Sequence, residues 1–277
     1  MRHAIIAAAL AAALALAPAA GGARGLNVST DACKYDYGTP YDVDVARSGL
    51  TFHRTDGTPG RIVVHDGSLE VDGRAVAVSA ADAEALRRYE SGVRQLMPEV
   101  AAVAREGIQL GFSAMTTVTM TFAEADRREE LLARIRRKQA DALREIDQGV
   151  GAGHWSSVRM TELTAGSVAD SVGELVGSVT SNAVTAALSG DTAKVAALQA
   201  RAASLDKALD SEMDKRSKAL EARAKGICPR LDALAGLQRG WGIRLADGSP
   251  LALMTVRPRQ ESRDTSGGDG ASRVARD

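Results

Sequence analysis

The sequence predicts an α+β protein, a small N-terminal antiparallel β-meander packed on a long kinked helix and followed by a helical bundle or hairpin. Three observations carry this reading. From Tyr41 to Val78 the apolar residues alternate, and after Val78 they recur at three and four spacing. Asp-Gly pairs punctuate the first stretch, whereas the long charged segments after it run with few turn residues.

In the alternating stretch, Val43 and Val45, Leu50 and Phe52, Ile62 and Val64, Leu69 and Val71, and Val76 and Val78 mark about five short strands. Their separators are Ser48-Gly49, Asp56-Gly57-Thr58-Pro59-Gly60, Asp66-Gly67 and Asp72-Gly73. The Asp-Gly pairs supply the positive φ that two-residue hairpins require. Such a meander has one apolar face and needs a cover.

The cover begins at a capping box, Ser79 through Asp82, in which the hydroxyl accepts from a free helical N–H. Leu86, Tyr89, Val93, Leu96, Val100, Val103 and Ile108 follow at helical spacing. Pro98 removes one backbone hydrogen bond inside this run, which predicts a kink near Leu96 and Met97. Thr117 to Phe122 alternates like a strand but also continues the helical stripe, and helix is the expectation. Glu124 to Gln148 reads as a charged amphipathic helix with Leu131, Leu132, Ile135, Leu143 and Ile146 on one face. The Gly149-Val150-Gly151-Ala152-Gly153 stretch then reads as a flexible connection, because no strand precedes it to aim N–H groups at a phosphate.

Glu162 to Leu188 is a low-charge helical pattern, and Thr192 to Lys225 a highly charged one carrying Leu198, Leu205, Leu209, Met213 and Leu220, a stripe of coiled-coil type. Gly226 is expected to cap it, before a short helix at Leu231 to Leu237 and a strand at Leu251 to Val256. Arg257 to Asp277 is nearly devoid of apolar residues and is expected to be a disordered tail.

Met1-Arg2-His3 followed by the apolar run Ala4 to Ala17 reads as a signal peptide, too short to span a bilayer comfortably. Small residues at Ala17 and Ala19 place cleavage after Ala19, with Ala20 and Ala23 as alternatives. The expected organisation is therefore a signal peptide over 1–19, the meander over 28–79, a helical region ending in a short strand over 80–256, and the tail. Localisation is expected to be periplasmic. Thr30-Asp31-Ala32 before Cys33 does not fit a lipoprotein signal.

The chain carries 35 basic and 35 acidic side chains, a balance that argues against an electrostatic nucleic-acid binder. Its aromatic content of 3% predicts an aliphatic core. Two cysteines, Cys33 and Cys228, in an exported chain favour one structural disulfide, and the alternative, a redox-active thiol, lacks a CxxC motif. Closure of so long a loop contributes at most ~5 kcal/mol in the chain-entropy treatment.

Candidate chemistry is sparse. His53, His65 and His154 stand in no metal-ligand spacing, and no metal or cofactor is expected. His65 and Asp66, at a hairpin turn, are the candidates for a ligand site, and His53 could join them in an enzyme or metal site assembled from scattered residues. No catalytic residue is assigned. Ser204-Leu205-Asp206-Lys207 has SxxK spacing without its companion elements. Gly173 and Gly177 form a GxxxG pair suited to close helix packing, while Asp170 and Glu174 oppose membrane insertion. Arg134 to Lys138 and Asp214 to Lys218 are expected to pair along helix surfaces with Glu130, Asp141 and Glu221.

Cys33 before Tyr41-Asp42-Val43, the hairpin from Ile62 to Gly73, the helix from Tyr89 to Arg105 with Met97-Pro98-Glu99, and Ile227-Cys228-Pro229-Arg230-Leu231 together resemble the YggN family of periplasmic proteins. The resemblance runs from Cys33 to about Val256. It implies export into a Gram-negative envelope, a paired cysteine and an unassigned role, and it supplies no catalytic residues. The leading expectation is a non-catalytic structural or interaction role with an envelope protein partner. The alternatives are the scattered-residue enzyme or ligand binder, and peripheral membrane association through 162–188.

Overall fold

A computed structural model describes residues 26–28, 33–123, 125–156, 158–159 and 192–258. The fold is α+β, an antiparallel meander followed by long helices. One sheet contains β3 (Asp42–Ala46), β4 (Gly49–His53), β5 (Arg61–His65), β6 (Ser68–Val71) and β7 (Arg74–Val76), which are the five strands expected from the alternation. Adjacent pairs are antiparallel, with Leu50 opposite Val64 and Val64 opposite Leu69, so the apolar positions share one face. Asp66 (φ 45°) with Gly67 (φ 78°), and Asp72 (φ 48°) with Gly73 (φ 78°), form the positive-φ turns the Asp-Gly pairs predict.

Helix α1 (Ala80–Phe122) lies over that face and continues across Pro98 and through Thr117–Phe122. At its start, the Ser79 hydroxyl accepts from the Asp82 N–H at 3.1 Å and donates to the Asp82 carboxylate at 2.7 Å. The same carboxylate also accepts from the Gly242 N–H at 2.9 Å, which ties the helix start to the C-terminal loop. Helix α2 (Ala125–Gln148) packs back along α1, and α3 (Thr192–Gly240) runs beside α1. Glu99 pairs with Arg230 and Glu106 with Arg223, so α1 and α3 are antiparallel.

Several expectations need correction. Gly226 does not cap α3, which runs on through Pro229, and no separate helix exists at 231–237. Ile227, Leu231, Leu234 and Ala235 are buried against α1 and the sheet, and this tertiary burial outweighs the one hydrogen bond that Pro229 removes. The C-terminal strand is β9, Thr255–Pro258, and not Leu251 to Val256. Leu251 and Leu253 are apolar because they plug the core from an irregular segment. Gln238 holds that segment, accepting from the Leu253 and Met254 N–H groups and donating to the Met254 carbonyl, and Trp241 Nε1–H donates to the Leu251 carbonyl. Arg257 and Pro258 therefore belong to a strand, while the rest of the expected tail lies outside the described residues.

Three strands had no sequence signal. β9 pairs with β2 (Tyr35–Thr39), which pairs with β1 (Leu26–Val28) in a second sheet. β8 (His154–Trp155) extends the first sheet at β3. The glycine stretch before β8 is no flexible connection. It forms a 3-10 turn, Val150–Ala152, ending at Gly153 (φ 88°), whose carbonyl accepts from the Val45 N–H at 2.8 Å.

The main core joins the sheets to all three helices, and it is not purely aliphatic. Tyr41, Phe52, Tyr89 and Trp241 form a chain of ring contacts across it, with centroids 6.1, 6.5 and 5.5 Å apart. Few aromatics occur, and Tyr37 joins these four among the buried residues of this core. The Cys33–Cys228 disulfide, with Cα atoms 5.5 Å apart, fastens the lead-in to β2 onto α3. A smaller cluster of Phe112, Met115 and Ala142 holds α1 to α2 farther out. No helix among the described residues is long and apolar enough to cross a membrane. The Glu162 to Leu188 pattern and its Gly173–Gly177 pair lie outside the described residues.

Candidate functional site

His65 ends β5 and Asp66 begins the turn into β6, so both reach the surface of α1 at the hairpin tip. Glu90 meets them there. It lies on the buried stripe of α1, one turn after Leu86, and is 7% exposed. Its carboxylate accepts from Arg94 Nε (3.2 Å) and Nη2 (2.6 Å) and from the Asp66 backbone N–H (2.9 Å), with His65 Nδ1 at 3.5 Å. Burial raises the Glu90 pKa, but the Arg94, Asp66 and His65 contacts outweigh it and hold the carboxyl below its ordinary value. Glu90 is therefore an ionised anchor whose lone pairs are occupied, not a base waiting for a proton. Arg87 Nη1 adds a bond to the Asp66 carbonyl at 3.4 Å. The candidates His65 and Asp66 sit at the rivet that fixes a hairpin to a helix.

His53 does not join them. It lies opposite Arg61 at one end of the β4–β5 ladder, while His65 lies past the Leu50–Val64 pair at the other end. His53 instead faces β3, with Nδ1 3.4 Å from Asp44 and Nε2 3.9 Å from Asp42. His154 of β8 approaches Asp44 from the other side, Nδ1 to Oδ1 2.6 Å. The result is a row of imidazole, carboxylate and imidazole across three strands on the solvent face, with both rings directed at Asp44. Among the described residues, no three His, Cys, Asp or Glu side chains are grouped to hold a metal ion.

Other polar groups are also held within the fold. Tyr37, on β2, donates to Asp232 of α3 at 2.5 Å, and burial and then this bond raise the phenol pKa. The Ser204 hydroxyl donates to the Arg201 carbonyl at 2.8 Å, and the Lys207 side chain lies outside the described residues. Of the charge clusters, Arg134 pairs with Glu130 as expected, whereas Lys218 pairs with Asp214 inside its own cluster, Asp141 with Arg144 and Glu221 with Lys225.

An open groove of about 530 Å³ lies between α1 and α3. Arg105, Glu106, Gln109 and Leu110 of α1 and Arg216 and Arg223 of α3 line it. Arg105 is paired with Asp147 at the end of α2 (2.5 Å), and Arg223 with Glu106 across the groove (2.7 Å).

Sequence reasoning missed Glu90 and Arg94, although a signal was present: a carboxylate on the apolar stripe with an arginine four residues later. Asp232, and the His154 contact of Asp44, had no such signal, because their partners lie 195 and 110 residues away.

Over residues 36–253 the sequence matches the family described as a protein of unknown function, DUF2884. No curated protein and no solved structure matches the chain.

Proposed function

Because this chain belongs to the DUF2884 family of unknown function, we propose its role from its own geometry: a non-catalytic interaction protein of the cell envelope that presents a helical arm from a disulfide-clamped base. The observation that carries this reading is the reach of the helices beyond the core. On α1 the last fully buried residue of the main core is Ala101 and the last packed against it is Ile108, yet the helix runs on to Phe122, about 20 Å past Ile108. On α3 the core begins near Ile227, yet the helix starts at Thr192, about 50 Å away. Together they resemble an antiparallel coiled coil standing on a sheet.

The other groups support the same reading. Glu90, Asp44 and Tyr37 are each held by partners within the fold. The cysteine pair suits an oxidising compartment, and with the signal-like N-terminus and the YggN resemblance it supports export to a periplasm. Native mass spectrometry of the mature protein, purified gently from its own envelope, tests the proposal. The expected spectrum holds a second protein and a chain two hydrogens light. A stoichiometric small-molecule adduct on a chain without a partner would replace this reading with the ligand-binding one.

A further inference from the structure

Three arginines line the α1–α3 groove, one of them, Arg105, already paired with Asp147 and another, Arg223, with Glu106. Arg105 reaches it from one helix and Arg216 and Arg223 from the other, with Glu106 as the single carboxylate among its lining residues. Arg216 and Arg223 are seven residues apart, so they share a face of α3 two turns from one another, about 10.5 Å along its axis. That interval is the repeat of one face of a second helix. Below them the two helices approach closely, since a Cβ on Gly107 would meet Leu220 at 3.8 Å. Leu110 adds apolar surface, and the exposed Gln109 adds an amide that both donates and accepts.

We propose that this groove docks an amphipathic helix of a partner protein that carries acidic side chains at seven-residue spacing. The inference rests on the interaction reading above and names the partner's chemistry. A helix laid between two others buries one narrow stripe, so Leu110 with Ala102, and the guanidiniums beside them, would read a stripe of mixed Leu and Glu. The contacts that Arg105, Arg216 and Arg223 already make within the fold do not block such docking, because Arg216 and Arg223 are exposed on α3. Arg223 is 64% exposed in its pair with Glu106, and exposed pairs of this kind contribute little, so the guanidinium exchanges partners at small cost. Planar guanidinium groups also match carboxylates with two parallel bonds.

The test uses the full mature protein and two synthetic 21-residue helices of identical composition. One presents Glu at seven-residue spacing along a Leu-bearing face, and in the other the same Glu residues are spread around the helix. Binding is read by fluorescence anisotropy at low and physiological salt. The expected result is at least about tenfold tighter binding of the first peptide, reduced about tenfold or more by the double substitution Arg216→Glu with Arg223→Glu. Both positions are exposed on a helix, so the fold is expected to persist by circular dichroism, and Arg216→Gln with Arg223→Gln carries the same readout if it does not. Equal binding of both peptides, no binding, or indifference to the arginine substitutions overturns the proposal. A protein partner in the native spectrum together with a negative peptide result removes the groove alone. Groove-dependent peptide binding by a chain that is otherwise bare removes the broader reading of a resident envelope partner.

Discussion

Cutting the Cys33–Cys228 bridge should weaken the fold without dismantling it. The bridge encloses 195 residues, and the chain-entropy treatment gives about 5 kcal/mol for a loop of that length at 25 °C, an upper figure. The native contacts around it survive its loss. Ile227, Leu231, Leu234 and Ala235 stay buried, and the Tyr37–Asp232 bond still joins β2 to α3. The paired substitution Cys33→Ala with Cys228→Ala, or reduction of the wild-type protein, is therefore expected to leave the far-ultraviolet circular dichroism unchanged. The urea midpoint should fall: with a slope of ~3 kcal/mol/M, a loss of ~5 kcal/mol moves it by ~1.7 M. The slope itself should rise, because the uncrosslinked unfolded chain exposes more surface. Coincident midpoints for oxidised and reduced protein would refute the reasoning, since the bridge would then not constrain the unfolded chain in the way its loop length requires.

Glu90→Ala leaves Arg94 and the Asp66 N–H without their acceptor and should cost about 2–3 kcal/mol, measured by urea unfolding at pH 7. Because the folded Glu90 pKa is depressed, its contribution is fully present above the ordinary carboxylate value of 4.5 and is lost as pH falls through the lower folded value, so the variant should show a shallower acid dependence than wild type. Gly67→Ala should cost clearly more than Gly73→Ala, although both glycines have φ 78°. An added Cβ at Gly67 would lie 2.7 Å from the Ala83 carbonyl oxygen, whereas at Gly73 it meets nothing within 4 Å and costs only the backbone term of about 1–2 kcal/mol. Thermal melts of the two variants side by side check the difference. Tyr37→Phe removes the bond to Asp232 and should destabilise by about 1–2 kcal/mol with no change in helix content.

What was legible in the sequence follows from the range of the interactions involved. The five strands β3 to β7 were readable because each pairs with its chain neighbour through a short turn, and Asp66-Gly67 and Asp72-Gly73 show their positive φ in residue type alone. The cap at Ser79 and the helix through Pro98 are equally local. β2 was not readable, because its Asp36 and Gly38 are poor strand formers and its order comes from β9, more than two hundred residues later. The same cause hid the continuity of α3. Gly226 and Pro229 are local stop signals, overridden by burial against α1 and the sheet. At the candidate site, His65 and Asp66 stand out in the sequence by their turn, whereas Glu90, 24 residues after Asp66, becomes their partner only when the hairpin folds onto α1.

The most direct test of the helical arm as the working surface is photo-crosslinking in the intact envelope. A benzophenone amino acid is placed at Met120, 52% exposed near the far end of α1, and separately at Ala75, exposed on the edge strand β7 of the base. The account predicts a discrete crosslinked band containing a second protein from Met120 and none from Ala75. Crosslinks to another protein from Ala75 alone would contradict it and move the working surface to the sheet.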